Sequence, residues 1–140
     1  MKKKIVIAIV VLLVLGSLAI GGYFAIDSLF PKADLINVPS ASSVVSMTVA
    51  KNDMGKAGEP REITSTDIDN ILSQLSDAEP TRKMSVQDSP DAKTYYEISV
   101  KTDARTHYFY VYFENGICYV EILYEGIYTT DKSLLELLSK

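Results

Sequence analysis

The sequence predicts an α+β fold: a single antiparallel sheet of four or five strands, one helix before the main meander, one C-terminal helix, and a transmembrane helix in front. Three observations predict it. An uncharged apolar run opens the chain, period-two alternation recurs over residues 95–124 around an Asn-Gly pair, and two stretches repeat apolar residues at helical spacing. The division that follows is an anchor over 1–27, a juxtamembrane linker over 28–43 and an extracytoplasmic α+β domain over 44–140.

The run IVIAIVVLLVLGSLAIGGYFAI, Ile5 to Ile26, carries no charge. Roughly 20 apolar residues suffice for a helix to cross a bilayer. Lys2, Lys3 and Lys4 precede it and would hold the N-terminus in the cytoplasm, which puts the remainder outside a single-pass protein of the cell membrane. A cleaved signal peptide, cut near Ser17-Leu18-Ala19, is the competing reading and would make the protein secreted. Apolarity continues past that point to Ile26, which favours the anchor. The run ends without a cysteine to take a lipid.

The linker, with Pro31 and Pro39, gives way to alternation in VVSMTVA, where Val45, Met47 and Val49 share a face. NDMGKAGEP is a turn cluster, and REIT is expected to pair back briefly. Ile68, Ile71, Leu72 and Leu75 then make a helical stripe behind a capping-box start, with Thr64 three residues ahead of Asp67. Pro80 stops that helix. In PTRKMSVQDSP a short strand would turn Met84 and Val86 inward, with Arg82 at the rim, before an Asx-type turn at Asp88 and Ser89.

Asn115-Gly116 predicts a type I′ hairpin, because both central positions need positive φ. That turn sets Phe113 opposite Cys118, Val111 opposite Val120 and Phe109 opposite Ile122. Closing the preceding hairpin with Lys101 opposite Thr106 sets Ile98 opposite Phe109 and Tyr96 opposite Val111. Two separate turns therefore agree on one buried face, as a half-buried sheet requires. Gly126 supplies a bend, and Thr130-Asp131 caps a last helix striped with Leu134, Leu135 and Leu138.

The same registers line up the opposite face. Tyr95, Tyr112 and Tyr119 form one row, Glu97, Tyr110 and Glu121 the next, and Ser99, Tyr108 and Leu123 the third. Tyrosines suit exposed strands, so this lattice can be simple cross-strand packing. It can also be a docking face for a protein or cell-envelope partner, since tyrosine offers a rigid apolar plane and a hydroxyl. Its carboxylates favour a cationic or carbohydrate-like ligand over phosphate. A third reading has the C-terminal helix cover part of the face.

Charge and composition narrow the chemistry. Three of the 14 Lys and Arg residues precede the apolar run, which leaves 11 against 18 Asp and Glu, a net of −7. Nucleic acid and anionic lipid surfaces are not expected partners of such a domain. Cys118 is the single cysteine, so a disulfide within the chain and a cysteine-rich zinc site are excluded. His107, the single histidine, falls at the rim of the core face opposite Val100 and Tyr124, a place for packing rather than for a general base. A hydrolase would have to be assembled from Ser85, Lys83, His107 and Asp88. Ser85 and Lys83 share a strand face there, with no elbow or oxyanion hole beside them. MGKAG lacks the spacing of a phosphate loop, and no cofactor or metal motif is found.

ITSTDIDNILSQLSDAEP, TRKMSVQDSP and YVEILYEGIYTTDKSLLELL, behind a lysine-led apolar N-terminus, resemble a family of short exported proteins of Gram-positive bacteria catalogued as a domain of unknown function. The resemblance covers about residues 44–140 and implies an extracytoplasmic domain tethered by a membrane helix or a lipid. It carries over no catalytic residue. The expected function is an accessory or binding domain, not an enzyme, with Tyr95, Tyr108, Tyr110, Tyr112, Tyr119, Glu97 and Glu121 as its face. The alternatives are a small cell-envelope hydrolase and an inhibitor or immunity-type protein acting at the membrane.

Overall fold

A computed structural model describes residues 2–140. The chain forms two compact units, residues 1–32 and Ala33–Lys140. The first holds α1 (Lys2–Leu29), whose apolar residues are not gathered on one face. Its stretch Ile9–Leu29, of mean hydropathy 2.5, is long and apolar enough to cross a membrane, as a signal sequence near an N-terminus also is.

The second unit is one antiparallel sheet with two helices. Its elements are β1 (Val44–Asp53), β2 (Lys56–Ala57), β3 (Arg61–Glu62), α2 (Ser65–Ser76), β4 (Glu79–Pro80), β5 (Thr94–Thr102), β6 (Thr106–Glu114), β7 (Ile117–Ile122), β8 (Gly126–Thr130) and α3 (Lys132–Leu138). The strand order is β2-β1-β5-β6-β7-β8-β4, with β3 also on β1. The sheet thus has eight strands, more than the four or five expected. Three of the additional strands are two-residue pieces, too short to show a period. The fourth, β8, lies where the sequence suggested only a bend and a cap.

The central meander forms in the expected register. Asn115 and Gly116 take φ of 51° and 85°, so Phe113 meets Cys118 and Val111 meets Val120. Ile98 meets Phe109 and Tyr96 meets Val111 across the other hairpin. REIT pairs back on β1, with Thr48 opposite Glu62. β7 stops at Ile122, and Tyr124, at φ 65°, belongs to the turn into β8. Leu123 and Tyr124 therefore leave the rows they were expected to extend.

One face carries the core. Met47, Val49, Ile98, Val100, Phe109, Val111, Val120 and Tyr128 pack against Ile71, Leu72 and Leu75 of α2 and Leu134 and Leu138 of α3. Val45 is not among them, because the β1 to β5 pairing shifts between Val44 and Ser46 and turns its side chain out. Asp131 caps α3 by accepting from the Ser133 amide at 2.8 Å, and Arg61 of β3 donates to the Leu138 carbonyl at 2.8 Å at the other end. Thr64 caps α2, but its hydroxyl bonds the Asp67 carboxylate rather than an amide. The folded unit starts at Ala33, inside the stretch read as linker. Ile36 is buried in the core, and a Cβ on Gly126 would fall 2.5 Å from that of Ala33.

Candidate functional site

Both helices lie on the core face, so the tyrosine lattice is not covered by the C-terminal helix. It is covered in part by residues 81–93, the stretch around TRKMSVQDSP. This strap continues β4 along β8: the Thr81 amide donates to the Ile127 carbonyl and the Ile127 amide to the Lys83 carbonyl, each at 3.1 Å. It then crosses onto the outer face. At its far end the Met54 amide donates to the Lys93 carbonyl at 2.7 Å, and β5 begins.

Along the strap the inward residue is not the expected one. Ser85 is 3% exposed, whereas Met84 and Val86 are 56% and 74% exposed. The inner-face strand expected through Met84 and Val86 is therefore replaced by a polar crossing over the opposite face. The reason is what lies beneath. Glu121, 4% exposed, accepts a hydrogen bond from Ser85 Oγ at 2.6 Å and lies beside the Tyr112 hydroxyl. A buried carboxylate needs such a donor, and an apolar side chain there would leave it unpaired. Lys83 Nζ sits 5.0 Å from the centre of the Tyr119 ring, and the Tyr124 hydroxyl donates to Asp88.

The strap divides the lattice. Tyr112, Tyr119 and Glu121 are buried beneath it, with the two rings 5.4 Å apart. Tyr95, Tyr110 and Glu97 are half-buried, and Tyr108 is 49% exposed. Tyr95 and Tyr110 meet edge to face at 5.8 Å. Glu97 lies between Ala50 and Tyr110, and its carboxylate makes no hydrogen bond or ion pair among the described residues. Burial, followed by the charge of Glu97, pushes the Tyr110 phenol up to about 12. Burial and then Glu121 hold Tyr112 still further above the ordinary tyrosine range.

The remaining candidates take structural places. His107 pairs with Val100, stacks on Phe109 at 6.5 Å and accepts from Arg105 Nε at 3.3 Å. Burial and then the Arg105 charge lower its pKa, so the ring is neutral and able to accept. It lines a cleft of about 450 Å³ with Asp34, Tyr108, Tyr110 and Glu125, beside β6 where β7 has ended. Cys118 is buried, and burial followed by Asp131 pushes its thiol up to about 11, away from nucleophilic character. Lys83 faces a ring while Ser85 donates to a carboxylate, so the two do not form a nucleophile and base. The sequence reading missed that Lys83 and Ser85 belong to the tyrosine face. Its trace in the sequence is that Lys83 and Ser85 share one parity, opposite to that of Met84 and Val86.

The family described as "Domain of unknown function (DUF5300)" matches residues 32–129, more than half of the chain. The chain belongs to this family. Its match begins where the folded unit begins and takes in the strap and the whole lattice. An NMR structure of a protein from Ruminococcus gnavus is 29% identical and matches with a TM-score of 0.54, over 67% of this chain and 89% of that one. A comparison with curated proteins returned no match.

Proposed function

We propose that this family member is a membrane-anchored, extracytoplasmic binding domain, held by α1 with its N-terminus in the cytoplasm, that docks a partner on the open half of its tyrosine face. One observation carries the reading. Tyr95, Tyr108, Tyr110 and Glu97 form a contiguous aromatic and acidic patch on a rigid sheet, more exposed than the half beneath Ser85. Rigid tyrosines offer contact area at low entropic cost, and a strand-borne site keeps its geometry. Three lysines before the apolar helix support the orientation. The acidic balance of the domain argues against nucleic acid.

The test is photo-cross-linking in cells, from a reactive residue placed at Thr48 of the full-length protein. A discrete adduct is expected, and Tyr108→Ser combined with Glu97→Gln should abolish it while the circular dichroism spectrum is unchanged. An adduct indifferent to both substitutions would place the contact elsewhere and sink the reading.

A further inference from the structure

The lattice contains the same unit twice. Tyr119-Val120-Glu121 in β7 and Tyr95-Tyr96-Glu97 in β5 both read Tyr-x-Glu. They run in the same direction on either side of β6, whose Tyr110-Val111-Tyr112 lies between them. Registers match as well: Glu97 and Glu121 both face Tyr110, and Tyr119 faces Tyr112 with Tyr95 next on the other side. The outer face therefore has a local pseudo-symmetry about β6.

One copy of the unit is already engaged. Lys83 sits on the Tyr119 ring and, two residues on, Ser85 donates to Glu121. An extended chain places residues i and i+2 on one side, so a single Lys-x-Ser segment meets a Tyr-x-Glu segment point for point. The chemistry is a cation on an aromatic face and a hydroxyl on a carboxylate. The second copy has the same groups: Tyr95 packs against Tyr110, and the Glu97 carboxylate makes no hydrogen bond or ion pair among the described residues. Ala50, opposite Glu97 in β1, is small and leaves lateral room. Two strand spacings separate the copies, about 10 Å, the width an extended chain with its side chains needs.

The geometry points to the partner of the open half: an extended protein segment carrying Lys-x-Ser or Lys-x-Thr, laid over Tyr95 and Glu97 as the strap is laid over Tyr119 and Glu121. This rests on the docking reading above and gives it a ligand class. The ammonium of the segment lies on the Tyr95 and Tyr110 rings, and its hydroxyl donates to Glu97. Lysine is favoured further by the two carboxylates that flank Tyr110.

The strap itself supplies the probe. A peptide copying residues 81–87, TRKMSVQ, is titrated into the full-length protein in detergent micelles, with ring-labelled tyrosines read by NMR. Saturable shifts are expected at Tyr95 and Tyr110, with Tyr119 unmoved. Acetylating the peptide lysine should weaken binding about fivefold, the scale of a lost cation on an aromatic face. Glu97→Gln should weaken it similarly. Three results overturn the inference: no shift at Tyr95, shifts confined to Tyr119 because the peptide has displaced the strap, or indifference to acetylation. If the peptide fails while the cross-link from Thr48 remains sensitive to Tyr108 and Glu97, the docking reading stands and only the ligand class falls.

Discussion

Tyr110 is the residue on which the outer face turns. Carboxylates flank it in both neighbouring strands, so its phenolate would form in a negative field as well as away from water. Its pKa is about 12 in the fold, against about 10 in an unfolded chain. The folded state then keeps its proton longer than the unfolded state does. The stability this contributes is fully present below about pH 10 and is lost as pH rises through about 12. Urea midpoints at pH 9 and pH 11 measure the loss, and Tyr110→Phe should reduce the difference between them. An equal pH dependence in the variant would show that Tyr110 is not the source. Glu121 and Ser85 make a second residue-scale point: polar partners decide which side of a segment is inward when the surface beneath is polar. That is why Met84 and Val86 were misread, since apolar parity is a guide only for chain that meets the core.

Among the elements, the strap depends on few contacts and the meander on many. Ser85→Ala removes the 2.6 Å bond and leaves Glu121 short of a donor, at a cost of about 1–3 kcal/mol in urea unfolding. Amide exchange should quicken in residues 84–92 and stay slow in β6. Uniform acceleration of both would mean that the strap and sheet open together. The meander was legible because its information is local. Asn115-Gly116 fixes one register, the β5 to β6 turn another, and a slip of one residue in either would expose Ile98 and Val111. β2, β3 and β4 have two residues each, too few to show a period: β2 closes a tight hairpin on β1 with Asp53 opposite Lys56, β3 is the pairing expected of REIT, and β4 exists through β8, a neighbour distant in sequence. β8 escaped because Tyr128 alone in GIYTT is deeply buried outside its glycine, too little for a period.

For the whole molecule, the boundary of the folded unit matters most. The proline-bearing stretch before β1 looked like linker by composition, yet Ile36 joins the core and Ala33 presses on Gly126. A fragment of residues 33–140 is expected to unfold cooperatively, and one of residues 44–140 to be less stable by about 2 kcal/mol, the transfer energy of one buried isoleucine. Equal midpoints in thermal or urea melts would return Ile36 to a linker. The sequence could not mark this boundary, because one isoleucine among polar residues has no periodic company. The candidate face was legible in its rows and not in its cover: pairing rules place Tyr95, Glu97 and Tyr110, whereas a crossing strap obeys none.

The strap is held at both ends, by Thr81 and Lys83 on β8 and by Lys93 at the turn after β1. It cannot peel from a terminus and can only bow away and fall back. Closing a loop of about ten residues takes about 10–100 ns. A partner at micromolar concentration, arriving at about 10⁷ M⁻¹s⁻¹, makes only about ten encounters per second. Each opening ends about a million times faster than the next collision comes, so Tyr119 and Glu121 are reachable only on the fraction of approaches that coincide with an opening, whereas Tyr95 and Glu97 are met without waiting for one.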